Sequence, residues 1–129
     1  MSIENAIYTM LNGHAGLSAL VGVRIYPMYL PQTPTLPACA YRLTSAQTIS
    51  LLATDTNIIE ARYEIAVFSK TYDQCVATAD QLRQALQRQS GTVETVVILD
   101  ITIDNIDQSF DQDFEIYEIT TDVTISYRT

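Results

Sequence analysis

Apolar residues recur at every second position in Ile59, Ala61, Tyr63, Ile65 and Val67, with Glu60, Arg62 and Glu64 between them, which predicts a strand with one buried and one wet face. At Thr71 the period changes. Tyr72, Cys75, Val76, Ala79, Leu82 and Leu86 fall at steps of three and four, opposite Asp73, Gln74, Asp80, Gln81, Gln84 and Gln87, the pattern of a helix lying on a sheet. Thr71 followed by Gln74 reads as a capping box that satisfies free amides of the first turn. Arg88 suits the negative last turn, and Gly91 is placed to close it in a left-handed conformation. The strand-to-helix unit from Ile58 to Arg88 is the one the remaining segments pack against.

Upstream, Ile3, Ala6, Ile7, Met10 and Leu11 form a single stripe capped by Ser2 and ended by Asn12 and Gly13, a first helix packed on the sheet. A short helical turn is expected at Leu17 to Val21, closed by Gly22. Val23 to Leu30 reads as a strand, and Pro27, with no amide to donate, puts it at an edge or a bulge. All four prolines fall from Pro27 to Pro37, so Leu30 to Leu36 is a stiff projecting loop. Met28, Tyr29, Leu30 and Leu36 then either form an exposed partner surface or fold back over the core. Ala38 to Leu43 begins a strand that runs on to Ser50, and Ala53 to Asn57 turns into the central strand.

Downstream, Val93, Val97, Leu99, Ile101 and Ile103 alternate with Glu94, Asp100, Thr102 and Asp104, although Val96 and Ile98 break the polar side and suggest a start covered on both faces. In Phe114 to Tyr127 the apolar Tyr117, Ile119, Val123, Ile125 and Tyr127 alternate with polar residues. These two strands form a hairpin with a long acidic tip. Together the pattern predicts a single α+β domain over 1–129, a two-layer fold with a mostly antiparallel sheet of about five strands and two helices on one face, in the order α-β-β-β-α-β-β.

A chain of 129 residues that is 47% hydrophobic and 17% charged has the composition of one folded domain rather than of a disordered tail. The opening residues carry no signal-peptide pattern, which predicts a protein made in the cytoplasm. In that reducing compartment Cys39 and Cys75 are expected as small core residues. The net charge is −8, nine of the fifteen acids lie between Glu94 and Asp122, and no Lys or Arg lies between Gln89 and Tyr127. Such a surface disfavours gripping a nucleic-acid backbone, which needs cations to displace counterions. It also keeps a domain soluble.

Catalytic signals are weak. The one histidine, His14, sits in a Gly-rich turn without a serine or cysteine motif and reads as a surface residue. One histidine and two separated cysteines do not make a structural zinc site, and the scattered glycines form no phosphate loop. Asp104, Asp107, Asp111, Asp113 and Glu115 offer oxygen ligands of the kind calcium or magnesium takes, but the stretch lacks the glycine of an EF-hand loop, and a solvated hairpin tip explains it. No catalytic, cofactor or metal residue is assigned.

In order and spacing, several segments resemble the tail completion proteins of long-tailed bacteriophages. They are Gly16 Leu17 Ser18 Ala19 Leu20 Val21 Gly22; Arg24 Ile25 Tyr26 Pro27; Leu30 Pro31 Gln32; Leu36 Pro37 Ala38 with Tyr41; Arg62, Ile65, Val67, Thr71 and Tyr72 with Ala79, Leu82, Arg83, Ala85 and Leu86; and Asp122 Val123 with Ile125 and Tyr127. Phe68 Ser69 Lys70 departs from the tryptophan and alanine common there. The resemblance implies a virion protein without catalysis or cofactor, assembled in the host cytoplasm. It would form a ring, commonly of six copies, that stops the tail tube and meets the head connector, with no membrane partner. In that setting Met28, Tyr29, Leu30, Gln32 and Leu36 would contact a neighbouring copy or the tube protein. Asp107, Asp111 and Asp113 would line the channel, where DNA passes without specific binding. A different class, an acidic DNA mimic or adaptor that occupies a nucleic-acid enzyme, would need carboxylates spread over an extended face.

Overall fold

The structure is a computed structural model that describes residues 3–22, 24–28, 30, 35–50, 55–93 and 95–128. Helix α1 (Ile3–Gly13) buries Ile3, Ala6, Ile7 and Leu11 of the expected stripe and leaves Met10 half-buried against the core, and α2 (Ala15–Val21) buries Leu17 and Val21. The chain continues through β1 (Ile25–Pro27), β2 (Ala38–Ser50), β3 (Asp55–Ser69), α3 (Tyr72–Leu86), β4 (Gly91–Val93), β5 (Val96–Asp111) and β6 (Ile116–Arg128). The strands form one curled sheet in the order β1-β2-β3-β6-β5-β4, with β1 parallel to β2 and the other neighbours antiparallel.

The α+β class stands, but among the described residues there are three helices and a mixed six-stranded sheet where two helices and about five strands were expected. Two short edge strands make the difference in the sheet. The strand expected over Val23 to Leu30 contracts to Ile25–Pro27, and Pro27 does sit at an edge. Val93 and Val96, expected along one strand, instead pair across a tight turn in which Thr95 has a φ of 69°. The start of β3 at Asp55 also shortens the turn expected over Ala53 to Asn57. Ser2, Val23, Tyr29, Gln32, Glu94 and 51–54 lie outside the described residues.

All three helices feed one apolar cluster on one face of the sheet, against Ala61, Tyr63, Ile65 and Val67 of β3 and Ile119, Val123, Ile125 and Tyr127 of β6. Strand β5 departs from the expected alternation. Val96, Ile98 and Ile101 are buried while Leu99 is 38% exposed, because the pairing with β6 slips between Ile98 and Asp100. An extra residue in one strand reverses the faces of all that follow. On α3 the buried stripe is Cys75, Thr78, Leu82, Ala85 and Leu86, and Tyr72 and Val76 are left exposed. Thr78 tolerates burial because its hydroxyl donates to the Gln74 carbonyl at 2.7 Å. Cys39 and Cys75 are both buried, and desolvation raises their thiols to about 12 and about 11, which leaves them inert packing groups.

The Thr71 cap forms, with its hydroxyl accepting from the Gln74 amide at 3.3 Å. The return half is a relay instead of a direct bond: the Ser69 hydroxyl donates to Gln74 Oε1 at 2.8 Å and accepts from the Thr71 amide at 3.4 Å. The helix ends differently from expectation. Its left-handed residue is Arg88, with a φ of 58°, whose amide donates to the Ile101 carbonyl at 2.8 Å. Gly91, with a φ of 121°, opens β4. Docking on β5 thus closes α3 earlier than the glycine would. His14 is half-buried and not a free surface group: its Nε2 lies 3.1 Å from Gln81 Oε1, tying α2 to α3.

Tyr63 has a buried hydroxyl with no hydrogen-bond partner of good geometry among the described residues. Burial, and after it the Glu4 carboxylate, by its charge and as a weak acceptor for the hydroxyl, push the phenol well above its ordinary range. Because a buried hydroxyl without a well-formed hydrogen bond costs about 1–3 kcal/mol, Tyr63→Phe should leave stability unchanged or raise it by about 1 kcal/mol. Urea denaturation checks this, and a loss of more than that amount would mean the hydroxyl has a partner.

Candidate assembly surfaces

Alternation places Glu64, Ala66 and Phe68 of β3, Ala40 and Arg42 of β2, and Glu118 and Asp122 of β6 on the face of the sheet that no described helix covers. Arg42 and Glu64 pair there at 3.3 Å, with both side chains substantially exposed, so the pair is held weakly. An open depression of about 310 Å³ on this face is lined by Met28, Leu30, Ala40, Arg42, Glu64, Ala66, Phe68 and Glu118.

The structure brings part of the expected loop surface together. Met28 is 59% exposed and Leu30 is half-buried, and both line the depression; Leu36 is half-buried but is not among its walls. Met28 has a φ of 70°, and its amide donates to the Tyr41 carbonyl at 2.8 Å. A non-glycine residue held in the left-handed region is strained, and here the strain turns an apolar side chain outward. Arg24 anchors the base of the loop, with Nε donating to the Pro37 carbonyl at 3.0 Å and Nη2 to the Leu20 carbonyl at 3.2 Å. That role for Arg24 follows from three segments meeting in space and leaves no signal in spacing.

The acidic hairpin is longer and its tip shorter than expected, since β5 extends to Asp111 and only 112–115 form the turn. Asp107 therefore lies on the strand, Asp111 at its last position and Asp113 in the turn, all exposed. Asp107 is paired with Thr120 and Asn105 with Asp122, which puts Asp107 on the helix-free face beside Glu118 and Asp122. Asp111 has a structural task as well: its Oδ1 accepts from the amides of Asp113 and Phe114 at 3.0 and 3.3 Å. Asp104 sits at a second slip in the β5 register and accepts from the hydroxyls of Thr102 and Thr124.

On the other face, past the end of the core, α3 and β5 leave a groove lined by Val76, Ala79, Asp80, Arg83, Ile106, Gln108 and Ile119. Ile106, Phe110 and Phe114 are 48%, 44% and 68% exposed, and Phe110 stacks on Tyr117 with ring centroids 4.6 Å apart. The Arg83 guanidinium holds the Asp80 carboxyl below its usual range. The sequence pattern left Ile106 and Phe110 unassigned and began the last strand at Phe114, which lies in the turn instead; the signal available was three large apolar residues inside a strongly acidic run.

Among the described residues no three His, Cys, Asp or Glu side chains converge as a metal ion would require, and no helix is long and apolar enough to cross a membrane. Exposed apolar side chains at Met28, Ile106, Phe110 and Phe114 are of the kind that other proteins cover. Residues 5–128 match the family described as "Tail completion protein gp17". The chain belongs to that family. Its role is structural, in completing a tail. The fold agrees: a chain of a structure described as "Virion of native gene transfer agent (GTA) particle" superposes with a TM-score of 0.77 at 16% identity, over 99% of this chain and 96% of that one. A second solved chain gives a TM-score of 0.65 at 13% identity, covering 100% of this chain and 97% of the other. No curated protein matches.

Proposed function

We propose that the protein is a non-catalytic subunit of a hexameric ring in the virion of a long-tailed phage, ending the tail tube and joining it to the head connector. The family match over nearly the whole chain carries this reading. The loop around Met28, Leu30 and Leu36 supplies apolar contact with a neighbouring copy or with tube protein. Tyr29 and Gln32 belong to the same loop. The helix-free face, with Glu64, Asp107, Glu118 and Asp122, and the hairpin end with Asp111 and Asp113 turn toward the channel. Fixed negative charge there keeps passing DNA from adhering, within a reach of about 8 Å at physiological salt. Assembly takes place in the host cytoplasm, before the tail meets the head.

Mixing the purified protein with tube protein should give rings capping tube ends in negative-stain micrographs, and a protein that stays monomeric with no affinity for tubes would overturn the reading. Replacing Asp107, Asp111 and Asp113 with Asn keeps the acceptor Asp111 needs while removing charge. Rings should still form, and infectivity should fall through impaired DNA passage. Unchanged infectivity would remove the channel role of these acids.

A further inference from the structure

Both borders of the sheet are largely unpaired, and they are unalike. β1 covers β2 only at Cys39–Tyr41, and β4 covers β5 only at Val96–Ile98. Beyond Ile98 the Arg88 segment covers the next stretch of β5, its amide on the Ile101 carbonyl and its guanidinium on Asp100 at 2.8 Å, so 42–50 and 102–111 are the stretches with no strand beside them among the described residues. Exposed strand edges of this length recruit another strand unless charge or shape prevents it. On β5 the open edge carries Asp104, Asp107 and Asp111, Asp100 being paired with Arg88, so two β5 edges repel each other. On β2 the only charge in 42–50 is Arg42.

We infer that the β5 edge of one copy pairs with the β2 edge of the next, joining the sheets head to tail; the inference rests on the ring reading above. The register supports it. Arg42 pairs with Glu64, Glu64 with Asp122, and Asp122 with Asn105; Gln47 pairs with Glu60, Glu60 with Ser126, and Ser126 with Asp100. Arg42–Gln47 and Asp100–Asn105 therefore lie at the same height on opposite borders of the sheet. Across the four strands the directions alternate, so β2 and β5 run oppositely, and rotation about an axis along the strands sets the next copy's β2 antiparallel to β5. Arg42 then meets the neighbour's Asp104 and Asn105. The contact is heterologous, the kind that closes into rings. The helix-free faces would turn to one side of such a ring and the helices to the other.

Amide hydrogen exchange on the full-length protein, as monomer and as assembled ring, tests this. In the ring, alternate amides in both 42–45 and 102–105, the level stretches of the two borders that are open in the subunit, should exchange slower by about tenfold or more, as they do when buried in a ladder. Single-cysteine variants Ser45→Cys and Thr102→Cys, mixed and oxidised in the ring, should cross-link to one another and not to themselves. Rings without protection at either edge overturn the pairing and leave the ring reading standing. Protection at only one edge, or Thr102→Cys homodimers, likewise overturns the heterologous pairing. A protein that never forms rings, alone or with tube protein, overturns both.

Discussion

With aspartate at both Leu30 and Leu36, the protein should fold and fail to assemble. Both side chains are half-buried in the free subunit, and neither belongs to the apolar core cluster, so a carboxylate at either site can reach water in the monomer. At a subunit contact it cannot. Burying an unpaired carboxylate costs several kcal/mol, and about 1.4 kcal/mol is tenfold in affinity. Together the two changes should weaken association by about four orders of magnitude or more. Light scattering should report monomers at concentrations where the unaltered protein forms rings, with a circular dichroism spectrum and melting temperature close to the original. Normal rings from the double variant would remove this loop from the interface.

The second large effect is on the fold itself. Leu82 is fully buried where α3 meets the sheet, in the cluster that also takes side chains from α1 and α2. Truncating such a leucine loses transfer free energy and leaves a cavity, and Leu82→Ala should cost about 2–5 kcal/mol. In a domain of this size that lowers the melting temperature by about 6–25 °C. Val76, six residues earlier and 38% exposed, is the control: Val76→Ala should cost less than about 1 kcal/mol. Equal losses at the two positions would mean that the exposed side of α3 is packed in the free protein.

The Leu82 and Val76 contrast also separates what was legible in sequence from what was not. A period near 3.6 identified α3, and Leu82 and Leu86 sit where it put them. It also assigned Tyr72 and Val76 to the buried side, whereas Thr78 and Ala85 take their place. Periodicity gives the existence of a stripe; the contact with β3, β5 and β6 decides its rotation. The same holds for β5, where alternation located a strand and the slip at Leu99 decided which valines and isoleucines face the helices. The loop surface was partly legible, because four prolines beside large apolar residues mark a projecting segment, and Met28 and Leu30 do line one depression. Nothing in the spacing pointed to Arg24 as its anchor.

The sequence by itself determined the α+β class, the central strand β3, helix α3 with its Thr71 cap, the β5–β6 hairpin and, through its resemblance, the tail completion family. These are local or periodic properties: a cap, a repeat of two or of 3.6, an ordered series of short motifs. Only the tertiary structure decided the edge strands β1 and β4, the end of α3 at Arg88, and the division of the acids between a strand face and a short turn. It also set Arg42–Gln47 and Asp100–Asn105 level across the sheet. Each of those depends on pairings between segments far apart in the chain, where one residue's slip changes the outcome, and a single sequence does not encode that register in its pattern.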